Sequence, residues 1–203
     1  ITSSVADNEY GYPNWVGQRR CHGGINNYGV GGTTVSIREG YSNSFLERMH
    51  KRINDSIDEE GKSGLRLRSL FVLGGTNDYS LQVTLGDSNS PEINIDSPNY
   101  ETITFYKSYE KLLQICLEAY EGRVVCATPL PRTASPSAGY ETYALKQYIE
   151  AIVELCERFS VPCLRLDTMS TLNPGIASVR SRNLSDGGHP SQWGVDCVLG
   201  AVV

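Results

Sequence analysis

The stretch Leu70-Phe71-Val72-Leu73-Gly74-Gly75-Thr76-Asn77-Asp78 decides the fold. Its apolar run is short, unbroken and followed by glycines, so residues 68–73 read as a strand buried on both faces. Strands of that kind belong to parallel sheets covered by helices. The glycine pair turns the chain off the strand end, but a turn does not need the Asn that comes next. An Asn there either caps a turn or helix start or offers an uncharged side-chain donor with two N–H bonds.

Working outward, the same strand-then-helix pattern recurs. Residues 104–121 put Phe105, Tyr109, Leu112, Leu113, Cys116, Leu117 and Tyr120 on one helical face, with Gly122 as a stop. Residues 123–128 (RVVCAT) are a strand ended by Pro129 and Pro131, and 141–159 are a helix with Tyr148, Ile152, Leu155, Cys156 and Phe159 inward. Residues 161–167 (VPCLRLD) read as a strand, 168–185 as a loop and 190–203 as a final helix. Upstream, Phe45, Leu46, Met49, Ile53 and Ile57 mark a helix over 43–58, and 25–30 (INNYGV) make a short strand ending at Gly31-Gly32. Residues 79–103 and 132–140 are loops, the first with an alternating Leu81, Val83 and Leu85, and residues 1–22 are irregular.

Repeated βα units imply an α/β fold with a parallel sheet and helices on both faces, in one domain over 1–203 with no internal repeat. Ligands bind such sheets beyond the carboxyl ends of the strands. That gathers Gly31-Gly32, Thr76-Asn77-Asp78, Thr128-Pro129 and the loop before residue 190.

Composition removes several classes. The 203 residues are 39% hydrophobic and 20% charged, which suits a folded core rather than disorder. The net charge is −5 with no basic run, so a nucleic-acid partner is not expected. No apolar stretch approaches the ~18 residues of a membrane span. Six cysteines (Cys21, Cys116, Cys126, Cys156, Cys163 and Cys197) form no C-x-x-C pair, so a zinc knuckle is not expected; Cys116, Cys126 and Cys156 lie in apolar helix or strand patterns, and free core thiols are the preferred reading, with disulfides as the alternative. No metal or cofactor is expected. The sequence opens at Ile1 without a Met or a signal-like segment, so it carries no readable targeting information.

Of three histidines, His22 and His50 read as surface residues. His189 differs. In Asp186-Gly187-Gly188-His189-Pro190 the carboxylate lies three residues before the imidazole, within reach to orient it. A carboxylate so placed fixes the ring tautomer and stabilises the imidazolium that forms when His acts as general base. The plainer alternative is a turn capped by Asp186 with Pro190 opening a helix. An ester hydrolase also needs donors aimed at an oxyanion, each commonly worth ~3 kcal/mol. The Gly32 backbone N–H and the Asn77 side chain suit that role, whereas an Asp at 77 would repel the developing charge. Their plainer alternatives are a tight βα turn and a cap.

Taken together, Asn27-Tyr28-Gly29-Val30-Gly31-Gly32, then Gly75-Thr76-Asn77-Asp78, then Asp186-Gly187-Gly188-His189-Pro190 resemble three ordered blocks of the SGNH hydrolases, the GDSL-type esterases and lipases. Thr128-Pro129-Leu130-Pro131 is similar to that family's fourth-strand end, and the resemblance spans essentially the whole chain. It implies a flavodoxin-like three-layer α/β/α sandwich with about five parallel strands. It also implies Gly32 and Asn77 as oxyanion donors, His189 as base, Asp186 as its orienting carboxylate and Asp78 as a supporting hydrogen-bond partner. The substrate class is a small-molecule or glycan ester, with a short acyl or acetyl group on a carbohydrate preferred.

The family's first block, a GDS nucleophile turn, is the departure. Ile1-Thr2-Ser3-Ser4 resembles the residues just after the nucleophile, so the first strand and the catalytic Ser are expected just upstream of Ile1. The one literal GDS, Gly86-Asp87-Ser88, comes after the Asn77 block, and Asn89-Ser90-Pro91 does not begin a helix. Ser88, Ser3 and Ser4 are therefore weaker candidates. Two other classes compete with an esterase. A carbohydrate-binding or structural domain on a degenerate hydrolase fold would fit a missing Ser, though not a retained Asp186, His189 and Asn77. A nucleotide- or flavin-binding protein would use GVGGTT as a phosphate loop, but no G-x-x-x-x-G-K-S/T pattern is present.

Overall fold

The apolar run forms the strand it predicts: β1 spans Ser69–Leu73. The computed structural model describes residues 28–58, 69–119, 122–133, 135–184, 186–191 and 194. They fall into two compact units. One comprises Thr33–Thr128 and Pro136–Leu164, the other Ile1–Gly32, Pro129–Ser135 and Arg165–Val203.

The first unit holds the sheet. Helix α1 (Phe45–Asp58) precedes β1, and α2 (Thr76–Ser80) and α3 (Phe105–Ala119) come after it. Strand β2 (Arg123–Ala127), helix α4 (Leu145–Arg158) and strand β3 (Cys163–Leu164) complete the unit. The sheet order is β1-β2-β3, all parallel, with Ser69 opposite Arg123, Leu73 opposite Ala127, and Cys126 opposite Cys163. Each parallel pair is joined through a helix, as parallel connections require. These are three of the roughly five strands the resemblance implies. Residues 28–30 of the expected first strand carry no strand, and 25–27 lie outside the described residues.

Most of the helical faces read from the sequence are core, but Leu117 is exposed, Phe159 is only partly buried and Tyr120 lies outside the described residues. Phe105, Tyr109, Leu112, Leu113 and Cys116 of α3 meet Tyr148, Ile152, Leu155 and Cys156 of α4, all at most 1% exposed. Phe105 and Tyr148 pack edge-on at 5.0 Å. Burial pushes the Cys116 thiol up to about 12, and none of Cys116, Cys126, Cys156 and Cys163 is in a disulfide.

Four of the differences from the expected elements have a local reason. Helix α1 starts at Phe45 rather than 43. Ser44 accepts the Glu47 N–H on its hydroxyl (3.1 Å), and the Glu47 carboxylate accepts the Ser44 N–H (2.9 Å) and hydroxyl (2.7 Å), which is a capping box. Helix α4 starts at Leu145 rather than 141. The Gln82 side-chain oxygen takes the N–H groups of Thr142 (2.7 Å) and Tyr143 (2.8 Å), which holds those residues out of the helix. Strand β3 is only two residues long, since the chain turns helical after Arg165, whose carbonyl accepts from Thr168 (3.0 Å) and Met169 (2.7 Å). The expected loop 79–103 begins inside α2. Its alternating 81–85 piece is no strand, although Thr84 and Leu85 accept the first N–H groups of α3 at 2.8 and 2.9 Å.

In the second unit α5 (Leu166–Met169) starts inside the expected strand 161–167, and α5 and α6 (Ala177–Asn183) together occupy half of the expected loop 168–185. Leu130, Leu166, Leu172 and Leu184 are among its buried apolar residues. Leu184 and Pro190 form an antiparallel bridge. The expected final helix lies outside the described residues apart from Pro190, Ser191 and Gly194. Among the described residues no helix is long and apolar enough to cross a membrane.

Candidate active site

The second unit carries Asp186 and His189. The Leu184–Pro190 bridge brackets a turn in which Gly187 takes a φ of 80°. The Asp186 Oδ1 accepts the backbone N–H of Gly188 (2.9 Å) and of His189 (2.7 Å), while Oδ2 lies 2.5 Å from His189 Nδ1. This is an Asx-type turn whose second oxygen is spent on the ring. A proton on Nδ1 makes Nε2 the basic nitrogen. Partial burial raises the Asp186 carboxyl. The His189 N–H, the His189 side chain and the Gly188 N–H outweigh that, bringing it down from 3.8 to about 2. The turn is braced by the 131–133 segment. The Thr133 N–H donates to the Gly187 carbonyl (2.9 Å), and the Arg132 guanidinium lies 3.5 Å from where a Cβ on Gly188 would sit.

The first unit carries Asn77 and Asp78, presented by α2 directly after β1. Gly74 is required by close approach, since a Cβ there would lie 2.7 Å from the Val35 side chain and 3.0 Å from the Phe45 ring. Gly75 is required by its φ of 102°. The Asn77 Nδ2 donates to the Thr33 carbonyl at 2.8 Å. The Asp78 carboxylate is fully buried and accepts the Val35 N–H (2.9 Å), the Ser36 N–H (3.0 Å) and the Ser36 hydroxyl (2.7 Å). Asp78 thus faces the 35–36 segment and fixes the chain just beyond Gly32. Gly32 is exposed and has a φ of 74°, and among the described residues nothing lies within 4 Å of where a Cβ would be. The Arg48 Nη2 donates to the Thr33 hydroxyl at 3.2 Å.

The structure therefore pairs Asp186 with His189, and Asn77 and Asp78 with the 33–36 segment. The partners Thr33, Val35, Ser36 and Arg48 escape a reading of the sequence; the one available signal is the polar Thr33-Thr34 directly after Gly32. Of the remaining candidates, Ser88 sits in an exposed turn closed by Asp87 and Ser90, with no strand before it or helix after it. His50 meets Asp96 at 3.1 Å on the exterior. Tyr79, directly after Asp78, is 5% exposed and packs edge-on to Tyr148, so it is a core residue. Among the described residues no group of His, Cys, Asp and Glu is arranged to hold a metal. Ser3, Ser4 and His22 lie outside the described residues.

The parallel sheet with helical crossovers defines an α/β fold, whose last described block holds an imidazole against a carboxylate. The chain belongs to the GDSL-like lipase/acylhydrolase family, whose profile matches residues 1–196. Solved structures share the fold. A protein from Lactobacillus plantarum is 19% identical with a TM-score of 0.70, over 91% of this chain and 81% of its own. Est24, a carbohydrate acetylesterase from Sinorhizobium meliloti, is 16% identical with a TM-score of 0.61, over 96% and 83%. The M. smegmatis aryl esterase is 13% identical with a TM-score of 0.60, over 99% and 83%. No curated protein sequence matches significantly.

Proposed function

We propose that this acylhydrolase removes a short acyl or acetyl group from a carbohydrate or other small ester, using a serine in a GDS turn just upstream of Ile1. The observation that carries the reading is the 2.5 Å contact between Asp186 Oδ2 and His189 Nδ1 in a chain of this family. The serine hydroxyl attacks the ester carbonyl and passes its proton to Nε2 of His189. Asp186 stabilises the resulting imidazolium. The oxyanion takes the Gly32 N–H and the second Nδ2 hydrogen of Asn77. Collapse expels the alcohol with the proton from His189. A water, deprotonated by the same imidazole, then releases the acid from the acyl-enzyme.

The preference for a short acyl group rests on the absence, in the sequence, of an amphipathic lid-like segment for bulk lipid. The carbohydrate alcohol is in keeping with the activity of the Sinorhizobium meliloti enzyme, which shares the fold. The test is hydrolysis of p-nitrophenyl esters from acetate to long chains, and of acetylated oligosaccharides, by protein that includes the upstream residues. Acetate is expected to be released fastest, and His189→Ala to abolish release. Unchanged turnover in His189→Ala would overturn the mechanism, and a preference for long chains would overturn the substrate class.

A further inference from the structure

An amide side chain is useful as an oxyanion donor only if its NH2 end faces the substrate, and something must decide that orientation. Here the Thr33 carbonyl decides it. It accepts one Nδ2 hydrogen of Asn77 at 2.8 Å; in the flipped amide Oδ1 would confront that carbonyl, acceptor against acceptor. One hydrogen is consumed and the other diverges from it by the trigonal angle of the amide nitrogen.

Thr33 is in turn held through its side chain. The Arg48 Nη2 donates to the Thr33 hydroxyl at 3.2 Å, and Nε of the same guanidinium donates to the Asn43 carbonyl at 3.3 Å. The guanidinium also lies 5.1 Å over the Phe45 ring, a cation–π separation. The helix that carries Arg48 is tied to the same segment, since the Phe45 N–H donates to the Thr34 carbonyl at 2.9 Å.

We propose that Arg48 is a positioning residue for the oxyanion donor: its planar fork holds the Thr33 hydroxyl, which seats the Thr33 carbonyl against Asn77 and leaves one Nδ2 hydrogen aimed at the oxyanion. The proposal rests on the reading of Asn77 as that donor. A donor set this way acts on the transition state rather than on substrate binding, so its loss appears in kcat and not in KM.

The test is steady-state hydrolysis of p-nitrophenyl acetate by the protein with its upstream residues, comparing Arg48→Met, Thr33→Val, the double variant, Asn77→Ala, and Arg48→Met in Asn77→Ala. Arg48→Met and Thr33→Val are each expected to lower kcat about tenfold at unchanged KM, and the double variant no further, because both cut the same relay. In the Asn77→Ala background Arg48→Met is expected to change nothing. Full kcat in Arg48→Met, or an undiminished effect of that change without Asn77, would overturn the proposal. Thr33→Val is close to isosteric and decides the matter by itself if Arg48→Met does not fold. If Asn77→Ala itself keeps full kcat, the oxyanion reading falls instead, and the two failures are told apart.

Discussion

Asp186 holds His189 at two points at once: Oδ1 accepts its backbone N–H at 2.7 Å and Oδ2 meets its Nδ1 at 2.5 Å. One carboxylate therefore sets the backbone of the turn, the orientation of the ring and its tautomer. Asp186→Asn keeps an oxygen for the backbone N–H groups and so keeps the turn. It replaces the acceptor opposite Nδ1 with an NH2 donor, which favours the wrong tautomer. The expected result is a fall in kcat of about 10²–10⁴ at nearly unchanged KM and melting temperature. A variant retaining most of its turnover would show that the pair has no catalytic role.

The same contacts set an acid dependence. The Asp186 carboxyl, brought down from 3.8 to about 2, is a group whose folded value is depressed. Its contribution to stability is present above pH 3.8 and is lost as the pH falls through 2. The side chain is 54% exposed, so solvent screening holds that contribution below about 1 kcal/mol. NMR titration of the Asp186 carboxyl is expected to give a midpoint near 2, leaving it ionised throughout the range in which an esterase is assayed. A midpoint at or above 3.8 would contradict the geometry of the turn.

What was legible in the sequence was what is local. Asp186 and His189 are three residues apart, so one turn brings them together, and the faces of α3 and α4 repeat with the helical period. What was not legible is what depends on distant partners. Asn77 meets a carbonyl 44 residues away, Asp78 meets N–H groups 42 and 43 residues away, and α4 starts late because Gln82 takes two N–H groups 60 and 61 residues on. Strand β3 ends early because helical hydrogen bonds from Thr168 and Met169 to the Arg165 carbonyl take over from the strand. The motif residues could be named from the sequence. The side of each that faces the loop and the side that faces the site could not.

Asp78 illustrates the point and carries a stability prediction. Its two oxygens face only donors, the N–H of Val35 and the N–H and hydroxyl of Ser36. In Asp78→Asn one oxygen becomes an NH2 group, and in either flip it confronts a backbone N–H. A loss of about 1–3 kcal/mol is expected, with both partners buried. Burial pushes the Asp78 carboxyl above 3.8, and the hydrogen bonds from Val35 and Ser36 oppose that without cancelling it. A raised acid contributes its stability below 3.8 and loses it as the pH rises through the folded value. Urea denaturation at pH 4 and pH 7.5 is therefore expected to show a larger gap between wild type and Asp78→Asn at the lower pH. An equal gap at both would mean that the carboxyl is not raised.

Gly75 and Gly32 both have left-handed backbones, with φ of 102° and 74°, but different surroundings. Among the described residues a Cβ on Gly32 would meet nothing within 4 Å, whereas one on Gly75 would lie 3.3 Å from both the Ile152 methyl and the Phe105 ring. Gly32→Ala therefore carries backbone strain alone, about 1 kcal/mol. Gly75→Ala adds crowding against two core side chains that cannot yield freely, since Phe105 and Ile152 are each fully buried; about 2–4 kcal/mol is expected. Gly75 also precedes Thr76-Asn77-Asp78, so relief of that crowding displaces Asn77 and lowers kcat along with stability. Chemical denaturation and p-nitrophenyl acetate turnover of the two variants check the order. A Gly75→Ala protein as stable as Gly32→Ala would show that the packing around β1 gives way more easily than these distances indicate.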